Sequence, residues 1–210
     1  MTYTSQYPTQ DGDHVKSTTY YSASYYPYFA TDPTKSLTGG GDNNEWVSVS
    51  GTYTNQRFHI DLGSGKIIKR IYYENHHETG TDTNRGAKNF TFWGSNSATA
   101  FAELTYAIDT DWTQLTTDVS AFDQHVSADT TDPKYVVVTN TTSYQYYAIK
   151  IADNYSASGY LGLRRVELQT EDGGGGWANI AKVNGITSAN ISKICGISTA
   201  NIAKVKGVAV

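Results

Sequence analysis

Cysteine is almost missing from this chain: Cys195 is the only one in 210 residues, so no internal disulfide can form. Proline is scarce, with four residues, and charged residues make up only 17%. There is no basic excess. The formal net charge is −4, which argues against nucleic acid as a partner, since binding it calls for a basic face. No apolar run is long enough to span a bilayer, and the opening MTYTSQYPTQDGDH has neither a basic n-region nor an apolar stretch. No membrane span and no signal peptide are therefore expected. Signatures of catalysis are missing as well. There is no G-x-S-x-G, no reactive-cysteine context and no His/Cys zinc spacing, and the glycine run 173–176 lacks the Lys and Ser/Thr of a phosphate-binding loop.

Tyrosine is abundant, with 17 residues in a chain also rich in Thr, Ser, Asn and Gly. That composition favours strands and turns over helices. In RFHIDLG (57–63), Phe58, Ile60 and Leu62 alternate with Arg57, His59 and Asp61, a period of two with one buried face. Further short runs follow at 66–75, 88–95, 112–115, 134–140, 144–152 and 161–170, separated by turns rich in Gly, Asn, Asp and Ser. Seven or eight such strands without long helical patterns indicate an all-β antiparallel sandwich or barrel.

The end of the chain is a repeat. ANIAKVNGITS (178–188), ANISKICGIST (189–199) and ANIAKVKGVAV (200–210) share Ala, Asn, Ile, Lys and Gly at five of eleven positions. A unit this short cannot enclose a core, so its apolar face needs another copy or another chain. Trp177 and the aliphatics Ile180, Val183, Ile191, Ile194, Ile202 and Val205 are the expected assembly residues. Two local structures fit each unit. One is a short helical turn closed by Gly185, Gly196 or Gly207, which is the favoured reading; the other is a strand-and-turn solenoid. The expected division is a sandwich over 1–170, a glycine-rich linker over 171–177 and the repeats over 178–210. Against the total of −4, four lysines and no acid in the repeats leave about −8 on residues 1–177.

An ordered series of segments carries a family resemblance: Asp-Asn-Asn-Glu-Trp (42–46), Gln-Arg-Phe-His-Ile-Asp-Leu-Gly (56–63), Lys-Ile-Ile-Lys-Arg-Ile (66–71), Phe-Thr-Phe-Trp-Gly-Ser-Asn (90–96), Tyr-Tyr-Ala-Ile-Lys-Ile-Ala (146–152) and Leu-Arg-Arg-Val-Glu-Leu (163–168). Over residues 20–170 the chain resembles the discoidin-like, or coagulation-factor type C, domains, which include galactose-binding-like carbohydrate-binding modules. The resemblance implies a jelly-roll antiparallel β-sandwich that binds sugars or lipid headgroups with loops at one end. It also implies a structural calcium. Two rival loop segments, one with Asp32 and Thr34 and one with Asp42 and Asn44, are the candidate ligands, completed by Glu167 of the last strand. The repeats resemble those that end many tailed-bacteriophage virion proteins.

The candidate sugar-contacting residues are Tyr26, Tyr53, His76, His77, Glu78, Arg85, Asn154 and Tyr155. Aromatic faces stack on the apolar face of a sugar ring, and planar donors and carboxylates match vicinal hydroxyls. Tyr25, Tyr28 and Tyr160 lie in similar predicted loops or strand ends, whereas Trp46, Trp93 and Trp112 are expected in the core. Asp61 and Glu167 have better structural uses than as a catalytic pair. Three functions are expected in descending order: a non-enzymatic phage surface protein that binds glycans and assembles, as a trimer or on another virion protein, through its repeats; a purely structural virion subunit; and an ancillary module of a glycan-degrading enzyme.

Overall fold

The computed structural model describes residues 2–172 and, within the repeats, six two-residue strands. The chain divides into two compact units, Ser5–Thr170 and Met1–Thr4 with Glu171–Val210. Among the described residues no helix is long and apolar enough to cross a membrane.

The strands are β1 (Thr2–Gln6), β2 (Val15–Ser17), β3 (Trp46–Val47), β4 (Gln56–Lys66), β5 (Ile68–Asn75), β6 (Phe90–Ser95), β7 (Thr113–Thr117), β8 (Lys134–Thr139), β9 (Tyr144–Ile151) and β10 (Gly162–Asp172). All the pairings registered between them are antiparallel. One leaf runs β10-β5-β8, with β3 also on β10, and the other runs β7-β6-β9-β4-β2. They join where Thr116 and Thr117 of β7 pair with Thr139 and Val138 of β8, so a single sheet curls into an antiparallel sandwich. Ser5 and Gln6 of β1 hydrogen-bond to Glu167, Gln169 and Thr170 of β10.

The core follows from period-two alternation on both leaves. Ile71, Tyr73, Val136, Val166 and Leu168 come from one leaf and Phe58, Ile60, Phe92, Tyr147 and Ile149 from the other, all buried in one cluster. Each such side chain contributes roughly 1.5–3 kcal/mol. Trp46 closes one end, its ring 5.2 Å from that of Phe58 and its indole N–H donating to the Thr19 carbonyl at 2.9 Å. Trp112 is buried too, while Trp93 is half-buried beside it.

Strand β4 departs from the expected single buried face. Arg57 and His59, on the supposed polar side, are both fully buried. The short helix α1 (Ala98–Ala102) and the segment after it cover that side. His59 donates from Nδ1 to the Phe101 carbonyl at 2.9 Å and packs 4.9 Å from the Trp112 ring. Arg57 bonds the Ile108 carbonyl and Asp109, and Lys150 reaches the same carboxylate at 2.7 Å.

Within the repeats the favoured helical turn is replaced by paired strands. Lys182–Val183 pairs with Ile186–Thr187, Lys193–Ile194 with Ile197–Ser198 and Lys204–Val205 with Val208–Ala209. A helix one turn long gains too few hydrogen bonds to offset its nucleation. β-Branched residues on both sides of an X-Gly pair, Asn184-Gly185 in the first copy, suit a two-residue hairpin instead. Of the expected assembly residues, Val183, Ile194 and Val205 lie in these strands, whereas Trp177, Ile180, Ile191 and Ile202, like the glycines 173–176, fall outside the described residues.

Candidate functional site

Loops at one end of the sandwich enclose a cleft of ≈ 150 Å³ lined by Tyr21, Tyr25, Val47, His76, Glu78, Arg85 and Tyr160. Drug-sized sites run to roughly 300–1,000 Å³, so this one suits a single ring or small group. Its residues come from five separate parts of the chain. Tyr21 is pinned by its backbone N–H to the carbonyl of Val47 in β3, at 2.8 Å. Tyr25 ends the 3₁₀ turn Ala23–Tyr25, capped by the Ser22 hydroxyl. His76 and Glu78 follow β5, and Glu78 closes a tight turn on Thr81 through Thr79 and Gly80, both at positive φ. Arg85 ends the 3₁₀ turn Thr83–Arg85. Tyr160 leads into β10.

The tyrosine rings form the walls. Tyr21 meets Tyr160 edge-on at 5.4 Å and Tyr25 at 5.8 Å. The Arg85 guanidinium lies 5.2 Å from the Tyr160 ring centre and 2.8 Å from Asp82. Burial, a hydrogen bond to Asp42 and the nearby charges of Glu78 and Glu45 push the Tyr25 hydroxyl above its ordinary range, so it stays protonated.

Behind the walls lies a buried charge network. His76 Nδ1 sits 2.9 Å from Glu45 Oε2, with both residues buried. Because a carboxylate can only accept, the Nδ1 of His76 is the donor in this contact. The Nε2 of the same ring, on a residue lining the cleft, has no partner within the protein, and neither has Glu45 Oε1. Glycine makes this arrangement possible at two points. A Cβ on Gly162 would lie 2.8 Å from His76 Nδ1, and one on Gly41 would lie 1.9 Å from Glu45 Oε1 and 2.5 Å from Glu78 Oε1. The two carboxylates therefore face each other across Gly41, whose N–H donates to Glu78 Oε2 at 2.9 Å.

Of the eight residues expected to touch a sugar, His76, Glu78 and Arg85 meet in this cleft. His77 does not: it is fully buried. It receives the Gly80 N–H on Nδ1, donates from Nε2 to the Leu37 carbonyl and stacks on His125 at 4.1 Å. A ring satisfied at both nitrogens leaves nothing for a ligand; burial also lowers its pKa. Asn154 is buried as the scaffold of its loop, donating to the carbonyls of Ser158 and Tyr160 and accepting from the N–H groups of Ser156 and Ala157. Tyr155 donates its hydroxyl to the Phe122 carbonyl, and Tyr53 packs against the core. Tyr26 lies elsewhere, stacked on Tyr28 at 5.2 Å and lining a second cleft with Tyr20 and Pro27. Sequence reasoning passed over Tyr21, Val47 and the supporting Glu45. The Tyr20-Tyr21 pair before the loop was the available signal for the first, and nothing local marks the others.

The expected calcium ligands are engaged by groups of the protein itself. Asp32 is engaged by the backbone and hydroxyl of Thr34, at 2.9 and 2.7 Å. Asn44 bonds the backbone of Ser36, Gly40 and Asp42, while Asp42 is exposed. Glu167 accepts from Ser5 at 2.6 Å and from Arg165 at 3.3 Å. Among the described residues no group of three His, Cys, Asp or Glu side chains is placed to hold a metal. The carbonyls of Ser36, Thr38 and Gly39 converge instead on the buried guanidinium of Arg164, at 2.7–3.2 Å. Arg164 also donates to the His77 carbonyl and lies 4.0 Å from Glu45.

No protein-family model matches the chain, and no curated protein matches it. Solved structures do. A mutant form of chitosan-binding module 1 from the chitosanase/glucanase of Paenibacillus sp. IK-5 aligns at a TM-score of 0.54 with 15% identity, covering 80% of this chain and 100% of that one. The family 32 carbohydrate-binding module of C. perfringens NanJ, in complex with galactose, aligns at 0.52 with 12% identity over 80% and 100% of the two chains. A pectin-binding carbohydrate-binding module aligns at 0.51 with 12% identity over 81% and 95%. At these identities the likeness establishes the fold: an all-β sandwich of the kind these modules use.

Proposed function

We propose that the sandwich is a non-enzymatic glycan-binding module and that the Tyr21–Tyr160 cleft is its binding face. One observation carries this reading. Three tyrosine rings and Val47 line the cleft, and the same walls hold an unpartnered ring nitrogen on His76, the carboxylate of Glu78 and the guanidinium of Arg85. Stacking surface beside convergent donors and acceptors is what a sugar, with one apolar face and a rim of hydroxyls, requires. The fold shared with modules named for binding chitosan, galactose and pectin supports it. A glycan array read with the full chain and with His76→Ala tests the proposal. Binding that His76→Ala abolishes supports it; no binding to any glycan ends it and leaves the purely structural role.

The finer reading is a bacteriophage surface protein. Three tandem units, too short to bury a core alone, would join copies of the chain, as a trimer, or dock it on another virion protein. Multivalent display would then raise a weak single-site affinity. Light scattering after size exclusion, on the full chain and on a chain ending at Gly173, tests this part. A trimer that becomes a monomer on truncation supports self-assembly. Two monomers point to a different virion partner.

A further inference from the structure

The charge around the cleft is lopsided. Asp42, Glu45, Glu78 and Asp82 stand in or against its walls, and the cations there are Arg85 and Arg164. Both guanidinia are engaged. Arg85 is paired with Asp82 at 2.8 Å, and Arg164 donates to loop carbonyls. The carboxylates are less well satisfied. Glu45 Oε1 is buried without a partner, and it faces Glu78 Oε1 across Gly41. His76 and Arg164 meet Glu45 on Oε2, which leaves Oε1 beside Glu78 unmatched and favours a cation there.

We infer that the cleft selects a saccharide unit carrying a protonated primary amine over the same unit with an N-acetyl or hydroxyl group at that position. This rests on the glycan-binding reading and narrows it. An ammonium beside Glu78 makes a charge-assisted hydrogen bond, and the tyrosine faces attract it through their quadrupoles. A neutral ring would cover the carboxylates without compensating their charge. The charge of about −8 on residues 1–177 draws a polycationic glycan toward the module at long range.

The experiment is calorimetric titration of the full chain with oligomers of glucosamine, N-acetylglucosamine and glucose that share one linkage and one length, at a pH where the amines are protonated. The expected result is at least about tenfold tighter binding of the glucosamine oligomer. Glu78→Gln is expected to remove that preference, and added salt to weaken the glucosamine oligomer most. Equal or tighter binding of either neutral oligomer overturns the inference and leaves glycan binding standing. No binding of any oligomer, together with a blank glycan array, removes both. Should Glu78→Gln fail to fold, the salt series on the native chain decides, and an affinity for the glucosamine oligomer that does not change with ionic strength overturns the assignment.

Discussion

The imidazole Nδ1 of His76 lies 2.9 Å from Glu45 Oε2, and neither residue has appreciable solvent exposure. The pair links the cleft to the interior. His76 forms part of the wall, and Glu45 behind it faces Arg164 at 4.0 Å and Glu78 across Gly41. The geometry of the binding face is thus set by buried groups that a ligand need not touch.

The tyrosine walls are expected to supply binding through ring contact. Tyr21→Ala and Tyr160→Ala should each weaken glycan affinity about 3- to 10-fold, from the roughly 0.5–1.5 kcal/mol such contacts contribute. Tyr26→Ala, in a different cleft, should change it less than about twofold. Titration of the three variants against one bound glycan checks the contrast; an equal loss from Tyr26→Ala would misplace the site.

Gly41 should tolerate no side chain. In Gly41→Ala the added carbon would sit 1.9 Å from Glu45 Oε1 and 2.5 Å from Glu78 Oε1. Forcing these carboxylates aside should cost about 1–3 kcal/mol of stability and abolish binding. Thermal melting and titration read the two effects separately.

Arg164 organises the loop over residues 36–39 through its carbonyls. Replacing Arg164 with Met would leave Glu45 without its buried counter-charge and take the guanidinium donors away from the carbonyls of Ser36, Thr38, Gly39 and His77. A loss of about 3–5 kcal/mol is expected in urea unfolding. Melting the native protein with calcium and with a chelator tests the calcium that the family resemblance implies. A calcium-dependent rise would show that a ligand cage forms.

Acid should destabilise the fold through His59. Burial lowers its pKa in the folded protein to about 4, against 6.5 for a free imidazole. Above about pH 6.5 the ring is neutral in both states and no penalty exists. As pH falls toward 4 the unfolded chain takes up a proton that the folded one refuses, and stability drops by about 3 kcal/mol in all. His77, whose pKa burial also lowers, adds with the same sign. Urea unfolding followed from about pH 7 down to about pH 4 should show the slope, and His59→Gln should flatten it.

Much of the architecture was legible along the chain. The runs at 66–75, 88–95, 134–140, 144–152 and 161–170 coincide closely with β5, β6, β8, β9 and β10, because alternation with a period of two is a local property. The composition and the ordered motifs pointed to the sandwich, and the eleven-residue period marked the repeats. Within those repeats a Gly after a polar residue fits both a helix end and a hairpin turn, and only pairing across the turn distinguished them.

Burial and convergence belonged to the tertiary structure alone. Arg57 and His59 read as a solvent face until a segment 42 to 51 residues later covered them. His76 and His77 are neighbours in sequence, yet one lines a cleft and the other is locked inside by Leu37, Gly80 and His125. Tyr21, Val47, His76 and Tyr160 share no local pattern, since loops from distant strands bring them together at one end of the sheet. The sequence by itself determined which segments become strands and which side chains alternate toward the core, since both depend on near neighbours. Only the folded chain decided what lies over the other face and which loops meet, since both depend on contacts between residues far apart in sequence.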